Sequence, residues 1–320
     1  MALFLYPMER ESYDSLLIRS AHLYQMKWME FIDHLDCNLR YYSCFTDYID
    51  FTFAVSRLLE NYKTFDELLK GHTLYNLTSY FFNDDYKHKF YESLVSDTIQ
   101  TNKSTKQRLL FRTGIWTSWQ NRHINSRRFC PKCILEQKQK YGTTWQRIEW
   151  IIFGLELCPK HRCRLVYADP EKYFLPFDEL TEYPRTIIDY SNKKPEFFME
   201  NVMAIVNGEV PPVDSGIIFN YIVERLKDLK LIEGYKTDKN QYTLATIKNY
   251  LLKILLCDYW GEEFIRLFFE DSYSIYSITR NLRSEVSFQS IYLSRWFYSL
   301  ITILALSQGK NIKEIIQEIK

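Results

Sequence analysis

Glycine and proline are scarce, at nine residues each in a chain of 320. None of the glycines falls in a phosphate-cradling loop, which excludes a P-loop nucleotide site. With only six histidines there is no H-E-x-x-H pair, and no nucleophile elbow of the G-x-S-x-G type occurs, so the common metalloprotease and hydrolase signatures are absent. Acidic residues are many but unclustered. The longest apolar run, Ile291 to Leu306, contains Arg295 and several hydroxyls. It is shorter than a membrane span and reads as a buried helix. The apolar start Met1 to Tyr6 meets Glu9, Arg10 and Glu11 at once, which does not suit a signal peptide. The expectation is a soluble, cytoplasmic protein with no membrane partner.

What is present describes a folded chain of two or three domains: 46% apolar and 25% charged residues, with 25 Tyr and 22 Phe. Against few glycines, that aromatic excess favours packed layers over flexible linkers, and it leaves room for a homodimer face. The net charge is only +1, but it is unevenly spread. From Thr101 to Leu165 six Lys and eight Arg face three Glu, a surplus of +11 that leaves −10 for the remainder. Such a local surplus attracts phosphate, although a solvated basic face carries the same signature.

Four of the seven cysteines lie between positions 130 and 163. Cys130-Pro131-Lys132-Cys133 and Cys158-Pro159-Lys160-His161 set three thiols and one imidazole at the C-x2-C and C-x2-H spacings of a tetrahedral zinc site. Proline just after the first ligand fixes φ and turns the backbone toward the second, so each knuckle is expected to be a tight turn. Cys163 competes with His161 for the fourth place. Four protein ligands close the coordination sphere, so the expected Zn2+ is structural and its binding energy serves as folding energy. Cys37, Cys44 and Cys257 stand alone and read as small core residues.

Between the knuckles runs Trp145-Gln146-Arg147-Ile148-Glu149-Trp150, and near the start stands Glu11-Ser12-Tyr13-Asp14-Ser15-Leu16-Leu17-Ile18-Arg19-Ser20-Ala21. W-Q-R-x-x-W followed by C-P-K-H and preceded by C-P-x-C, together with the opening E-S-x-x-S-x-L-x-R-x-A segment, resembles the TniQ/TnsD family of transposon target-selection proteins. The resemblance implies a helix-turn-helix N-terminal region and a non-enzymatic adaptor. Its implied partners are target DNA or a guide-RNA effector complex, an AAA+ regulator of the TnsC kind, and the transposase indirectly. Some members carry a second cysteine cluster, whereas Arg164 to Pro212 holds no cysteine here. Tyr221 to Gly234 and Trp260-Gly261-Glu262-Glu263-Phe264 look like the helical second half of TnsD-type members.

The expected architecture is mainly α, with a helical, helix-turn-helix-like module over 1–100 and a zinc-finger segment with a basic patch over 101–168. A proline-rich linker over 169–212 and a helical domain over 213–320 complete it. Ser12 is placed to cap a first helix whose stripe holds Leu16, Leu17 and Ala21, leaving Glu11 and Arg19 off the stripe and able to face a partner. Further helices are expected over Lys27–Leu35 and Asp47–Glu60. Thr64 and Glu67 form a capping box, and Gly71 should stop the helix that follows. The C-terminal part reads as helices Ile217–Leu231 ended by Gly234, Tyr242–Tyr259, Glu262–Phe269, Ile291–Leu306, and a last one capped by Asn311 and Glu314.

Arg122, Arg127, Arg128, Lys132, Arg147, Arg162 and Arg164 are the candidate nucleic-acid contacts, in phosphate roles. Trp145 and Trp150 are expected in the core around the metal. The leading functional expectation is the target-selection adaptor; the alternative is a zinc-containing transcriptional regulator unrelated to transposition.

Overall fold

The structure, a computed structural model, describes residues 5–27, 30–31, 64–82, 84–95, 128–152, 154–168, 194–236, 242–247, 249–262, 264–265 and 296–319. The chain divides into two compact units, Met1–Asn76 with Ser118–Ile187 and Leu77–Thr117 with Ile188–Lys320. The N-terminal segment and the Cys/His segment, expected as consecutive modules, therefore share one unit. The fold is mainly α, and no described helix is long and apolar enough to cross a membrane.

In the first unit, helix α1 (Tyr13–Leu23) starts where its cap requires: Ser12 is extended and its hydroxyl accepts from the Ser15 amide at 3.2 Å. Leu16, Leu17 and Ala21 are buried along one stripe. The helices expected over Lys27–Leu35 and Asp47–Glu60 lie largely outside the described residues. The Thr64–Glu67 capping box opens α2 (Phe65–His72) as expected. Gly71 does not stop it. The helix runs to His72 and ends at Thr73, which is extended and whose hydroxyl accepts from the Tyr75 amide at 3.1 Å, starting the short α3 (Tyr75–Thr78). A glycine inside a helix costs only about 1 kcal/mol, so the residue that caps the next turn decides the end.

The Cys/His segment is closed at its base by a two-stranded antiparallel ribbon, β1 (Arg128–Phe129) with β2 (Val166–Tyr167). Between them stand α5 (Pro131–Tyr141) and a 3₁₀ turn, Ile148–Ile151. Helix α5 ends on Gly142 at φ 68°, a left-handed cap that glycine takes without a Cβ penalty.

The second unit holds α4 (Asp84–Val95), α6 (Lys194–Val206), α7 (Ser215–Asp228), α8 (Asn249–Trp260), α9 (Trp296–Leu306), α10 (Ile312–Ile319) and a hairpin. Helix α6 falls inside the segment expected to be an irregular linker; Phe198, Val202 and Ile205 bury its apolar face. The hairpin pairs β3 (Ile232–Lys236) with β4 (Tyr242–Ile247) and corrects two helical expectations. Helix α7 ends at Asp228, with Lys230 at φ 56° and the Leu231 amide bonded to the Leu226 carbonyl at 2.8 Å. Gly234 sits instead at the register shift between Glu233 and Tyr235, where a bulge suits glycine. The β-branched Thr243, Thr246 and Ile247 then favour a strand, and helix resumes only at Asn249.

Trp260 forms the centre of this unit's core. Its ring packs edge-on to Phe198 at 6.0 Å and stacks on Phe264 at 5.1 Å, and its indole N–H donates to the Ile301 carbonyl at 3.0 Å. Leu300, Ile301, Ile303 and Leu304 on α9 are fully buried. At α10 the expected capping pair forms: Asn311 Oδ1 accepts from the Glu314 amide at 3.0 Å, and Glu314 Oε2 from the Asn311 amide at 2.7 Å.

Candidate metal centre

The first knuckle is the opening turn of α5 rather than an isolated turn. Cys130 is its N-cap, Pro131 occupies the first helical position, and the Cys130 sulfur faces the Cys133 amide at 3.5 Å. Proline at that position sacrifices no hydrogen bond, and the helix N-terminus favours a negative sulfur. The second knuckle is a tight turn, as expected: the Arg162 amide donates to the Cys158 carbonyl and the Cys158 amide to the Cys163 carbonyl, both at 2.8 Å. Arg162 takes the left-handed φ of 55° that closes it.

These turns bring Cys130, Cys133, Cys158 and His161 together, their donor atoms all within 4.8 Å of one another. Cys133 Sγ lies 3.7 Å from Cys158 Sγ, and His161 Nδ1 lies 3.3, 3.2 and 3.9 Å from the sulfurs of Cys130, Cys133 and Cys158. A tetrahedron with metal–sulfur bonds of about 2.3 Å has edges of roughly 3.8 Å, so the spacing suits one small ion. Cys163, the sequence competitor, stands with its sulfur 3.4 Å from that of Cys130 but outside the mutually close set.

The donor chemistry also suits a cation. Three buried thiols in contact cannot all ionise against one another: hydrogen bonds from Cys130 and Cys133 drive the Cys158 thiol down, while those to Cys133 and Cys158, then burial, push Cys130 up. A divalent ion is what allows all three to become thiolates together.

His161 presents Nδ1 to the sulfurs and turns Nε2 outward to Glu136 Oε1 at 3.0 Å. The other Glu136 oxygen is held by Lys160. Lys160 first, and then His161, keep the Glu136 carboxyl below the usual carboxylate range.

The opening motif docks directly on the segment between the knuckles. The Ser12 amide donates to the Gln146 carbonyl at 2.6 Å, the Gln146 amide to Ser15 Oγ at 2.8 Å, and the Ile148 amide to the Arg10 carbonyl at 2.8 Å. Trp145 Nε1 donates to the Glu9 carbonyl at 3.2 Å, and Glu11 pairs as an isolated bridge with Arg147. Glu11 and Arg19, which fall off the apolar stripe and were open to solvent or a partner on the sequence alone, are instead an internal clamp. Glu11 is fully buried and takes both Arg19 Nε and Nη2 at 2.8 Å, and the His72 ring N–H donates to the Glu11 carbonyl at 2.8 Å. Arg10 and Arg147 both bind Glu149 Oε1.

The segments that carried the resemblance are thus each other's binding partners, and a family model described as TniQ matches residues 2–165. The chain belongs to the TniQ family. A search of curated proteins finds no match. Membership associates the chain with transposition, and the TniQ match spans both the opening motif and the complete metal-donor set.

Within the TniQ region the candidate basic residues separate. Arg128 is buried; its guanidinium donates to the carbonyls of Leu155 at 2.9 Å and Ile152 at 2.7 Å and lies beside Glu156, so it braces the ribbon and is withdrawn from any phosphate. Arg147 is likewise engaged by Glu149 at 3.0 Å within the clamp. Lys132, Arg162 and Arg164 are exposed. Arg122 and Arg127 lie outside the described residues. Trp145 and Trp150 are buried, as expected. Sequence reasoning missed Glu136 and the clamp. The polar letters shared by the two motifs, Glu11, Ser12, Ser15 and Gln146, were the available signal for the clamp, since buried polar groups need partners.

Proposed function

We propose that this TniQ chain is a non-enzymatic adaptor of transposition target selection: it engages target DNA or a guide-RNA effector complex and brings in an AAA+ regulator. The bound ion is structural Zn2+, held by Cys130, Cys133, Cys158 and His161, a closed set that leaves no place for substrate. One observation carries the reading: the opening motif locks onto the W-Q-R motif, which lies in the chain between the two donor knuckles, so the metal stiffens a platform and not a reaction centre. Lys132, Arg162 and Arg164 are exposed beside the ligands and supply phosphate contacts that position the protein without reading sequence.

The test offers attachment-site duplex DNA and a guide-RNA effector complex side by side, over a salt series, with the AAA+ protein added last. A Lys132→Ala/Arg162→Asn/Arg164→Ala variant should lower the slope of log affinity against log salt by about three, roughly one per lost phosphate contact, while retaining zinc. Asn is chosen at position 162 because it tolerates the left-handed φ found there. An unchanged slope on both targets would remove these residues from the interface; absence of binding to either target and to the AAA+ protein would overturn the adaptor role.

A further inference from the structure

Glu136 lies outside the ligand set and belongs to none of the motifs that mark the family, yet it is the residue on which the imidazole ligand leans. It stands on the first turns of α5, the helix that Cys130 caps and Cys133 enters, while His161 closes the opposite knuckle. Its Oε1 is 3.0 Å from His161 Nε2, and Lys160, the neighbour of His161 in the C-P-K-H knuckle, holds its other oxygen. A carboxylate only accepts hydrogen bonds, so the Nε2 that faces it carries the proton. That leaves the lone pair on Nδ1, the nitrogen that points at the three sulfurs. The side chain of His161 is 14% exposed, whereas that of Glu136 is 47% exposed. The carboxylate therefore stands at the surface and touches the one partly exposed member of the donor set.

We propose that Glu136 is a positioning residue of the metal centre: it selects the Nδ1-ligating form of His161 and fixes the ring plane toward the thiolates, with Lys160 anchoring its second oxygen. Carboxylates in this place orient a metal-bound histidine and strengthen its donor nitrogen, and losing one typically weakens metal binding ten- to a hundredfold. Lys160 is thereby assigned to the metal centre and not to the phosphate-binding face, although it sits in the same basic knuckle.

The proposal rests on the zinc reading of the site, and the experiment separates the two. Zinc affinity is measured by chelator competition at one fixed pH for the wild-type chain, Glu136→Gln, Glu136→Ala and His161→Cys, and for Glu136→Ala combined with His161→Cys. Wild-type protein that takes up no zinc refutes the zinc reading itself. With zinc bound, Glu136→Ala should weaken affinity by about ten- to a hundredfold and Glu136→Gln by less, since its amide oxygen still accepts.

The deciding comparison is the cysteine background. A thiolate ligand has no tautomer to fix, so Glu136→Ala should there change affinity less than about twofold. Long-range proton–nitrogen spectra of the zinc-loaded wild type should show Nδ1 metallated and Nε2 protonated. An equal loss in both backgrounds would make Glu136 a mere tie between α5 and the second knuckle, and ligation through Nε2 would overturn the proposal outright. Position 136 is exposed on its helix, so the substitutions leave the core untouched.

Discussion

In the unit formed by Met1–Asn76 and Ser118–Ile187, the joining is done by directional groups: three thiols and an imidazole, the Glu11–Arg19 pair, Glu149 between Arg10 and Arg147, and backbone bonds from Ser12 and Ile148. In the unit formed by Leu77–Thr117 and Ile188–Lys320, rings and branched aliphatics take that part, with Trp260 among Phe198 and Phe264 and α9 buried along most of its length. The contrast sets how each unit fails. A buried polar group that loses its partner retains its full desolvation cost, whereas an apolar core loses contacts by degrees as side chains shift into the space. In the short Cys/His segment, a metal ion held by the four donors would add folding energy to what its few buried apolar side chains supply.

Removing the ion should break the comparison most sharply. Structural zinc contributes on the order of 10 kcal/mol in finger peptides, comparable to the whole stability of a typical domain. Chelation, or Cys133→Ser, should therefore abolish amide protection over residues 128–168 and at Ser12, whose amide rests on Gln146. Amides of Leu300 to Leu306 should keep theirs, because no donor of the cluster lies in that unit. Hydrogen exchange followed by mass spectrometry reads both regions in one sample. Equal loss in the two units would remove the distinction.

Single side chains come next. Arg19→Leu strands the buried Glu11 carboxylate and should cost about 3–5 kcal/mol, much of it recovered when Glu11→Gln is added, since the charge is then gone. Trp260→Ala should cost a similar 3–5 kcal/mol in the other unit, with zinc affinity unchanged, and no second polar substitution should restore it. Urea unfolding of the three variants decides this. A Glu11→Gln/Arg19→Leu double variant no better than Arg19→Leu would show that packing, and not an orphaned charge, governs the first unit as well.

The same contrast explains what could be read from the sequence. The four-donor cluster was legible because coordination chemistry restricts residue type and spacing, and the caps at Ser12, Thr64 and Asn311 because each needs one hydroxyl or amide oxygen a fixed step before its donors. Glu136 was not legible, since nothing local distinguishes a surface glutamate that touches a ligand from one that does not. The β3–β4 hairpin was missed for another reason. Its strands alternate weakly, Leu244 and Ala245 suit a helix as well, and the pairing that selects the strand is a tertiary choice. Glu11 and Arg19 read as solvent-facing because helical periodicity assigns faces on one helix and is blind to a second segment laid across them.

The smallest effect expected lies at the rim of α10, where charge assists the apolar unit. Lys310 and Arg225 each reach Glu318 at 2.6 Å, and Lys313 reaches Glu209 at 2.6 Å, with these side chains between a third and a half exposed. The Lys310 hydrogen bond foremost holds the Glu318 carboxyl below its ordinary range, and Lys313 does the same for Glu209. A carboxyl depressed in the folded chain stabilises above its unfolded value, about 4.3 for Glu, and that contribution disappears as pH falls through the folded value. Exposed pairs are screened, so the change should stay under about 1 kcal/mol and shrink further in 1 M salt. Acid also strips metal from thiolates, which would swamp a measurement made on the whole chain, so the readout must be amide exchange within α10 alone. Glu318→Gln should flatten the pH dependence of that exchange below about pH 5. A slope identical to wild type would mean that α10 is held by Ile312, Ile315 and Ile316 without help from its rim, which would make the division between the two units sharper still.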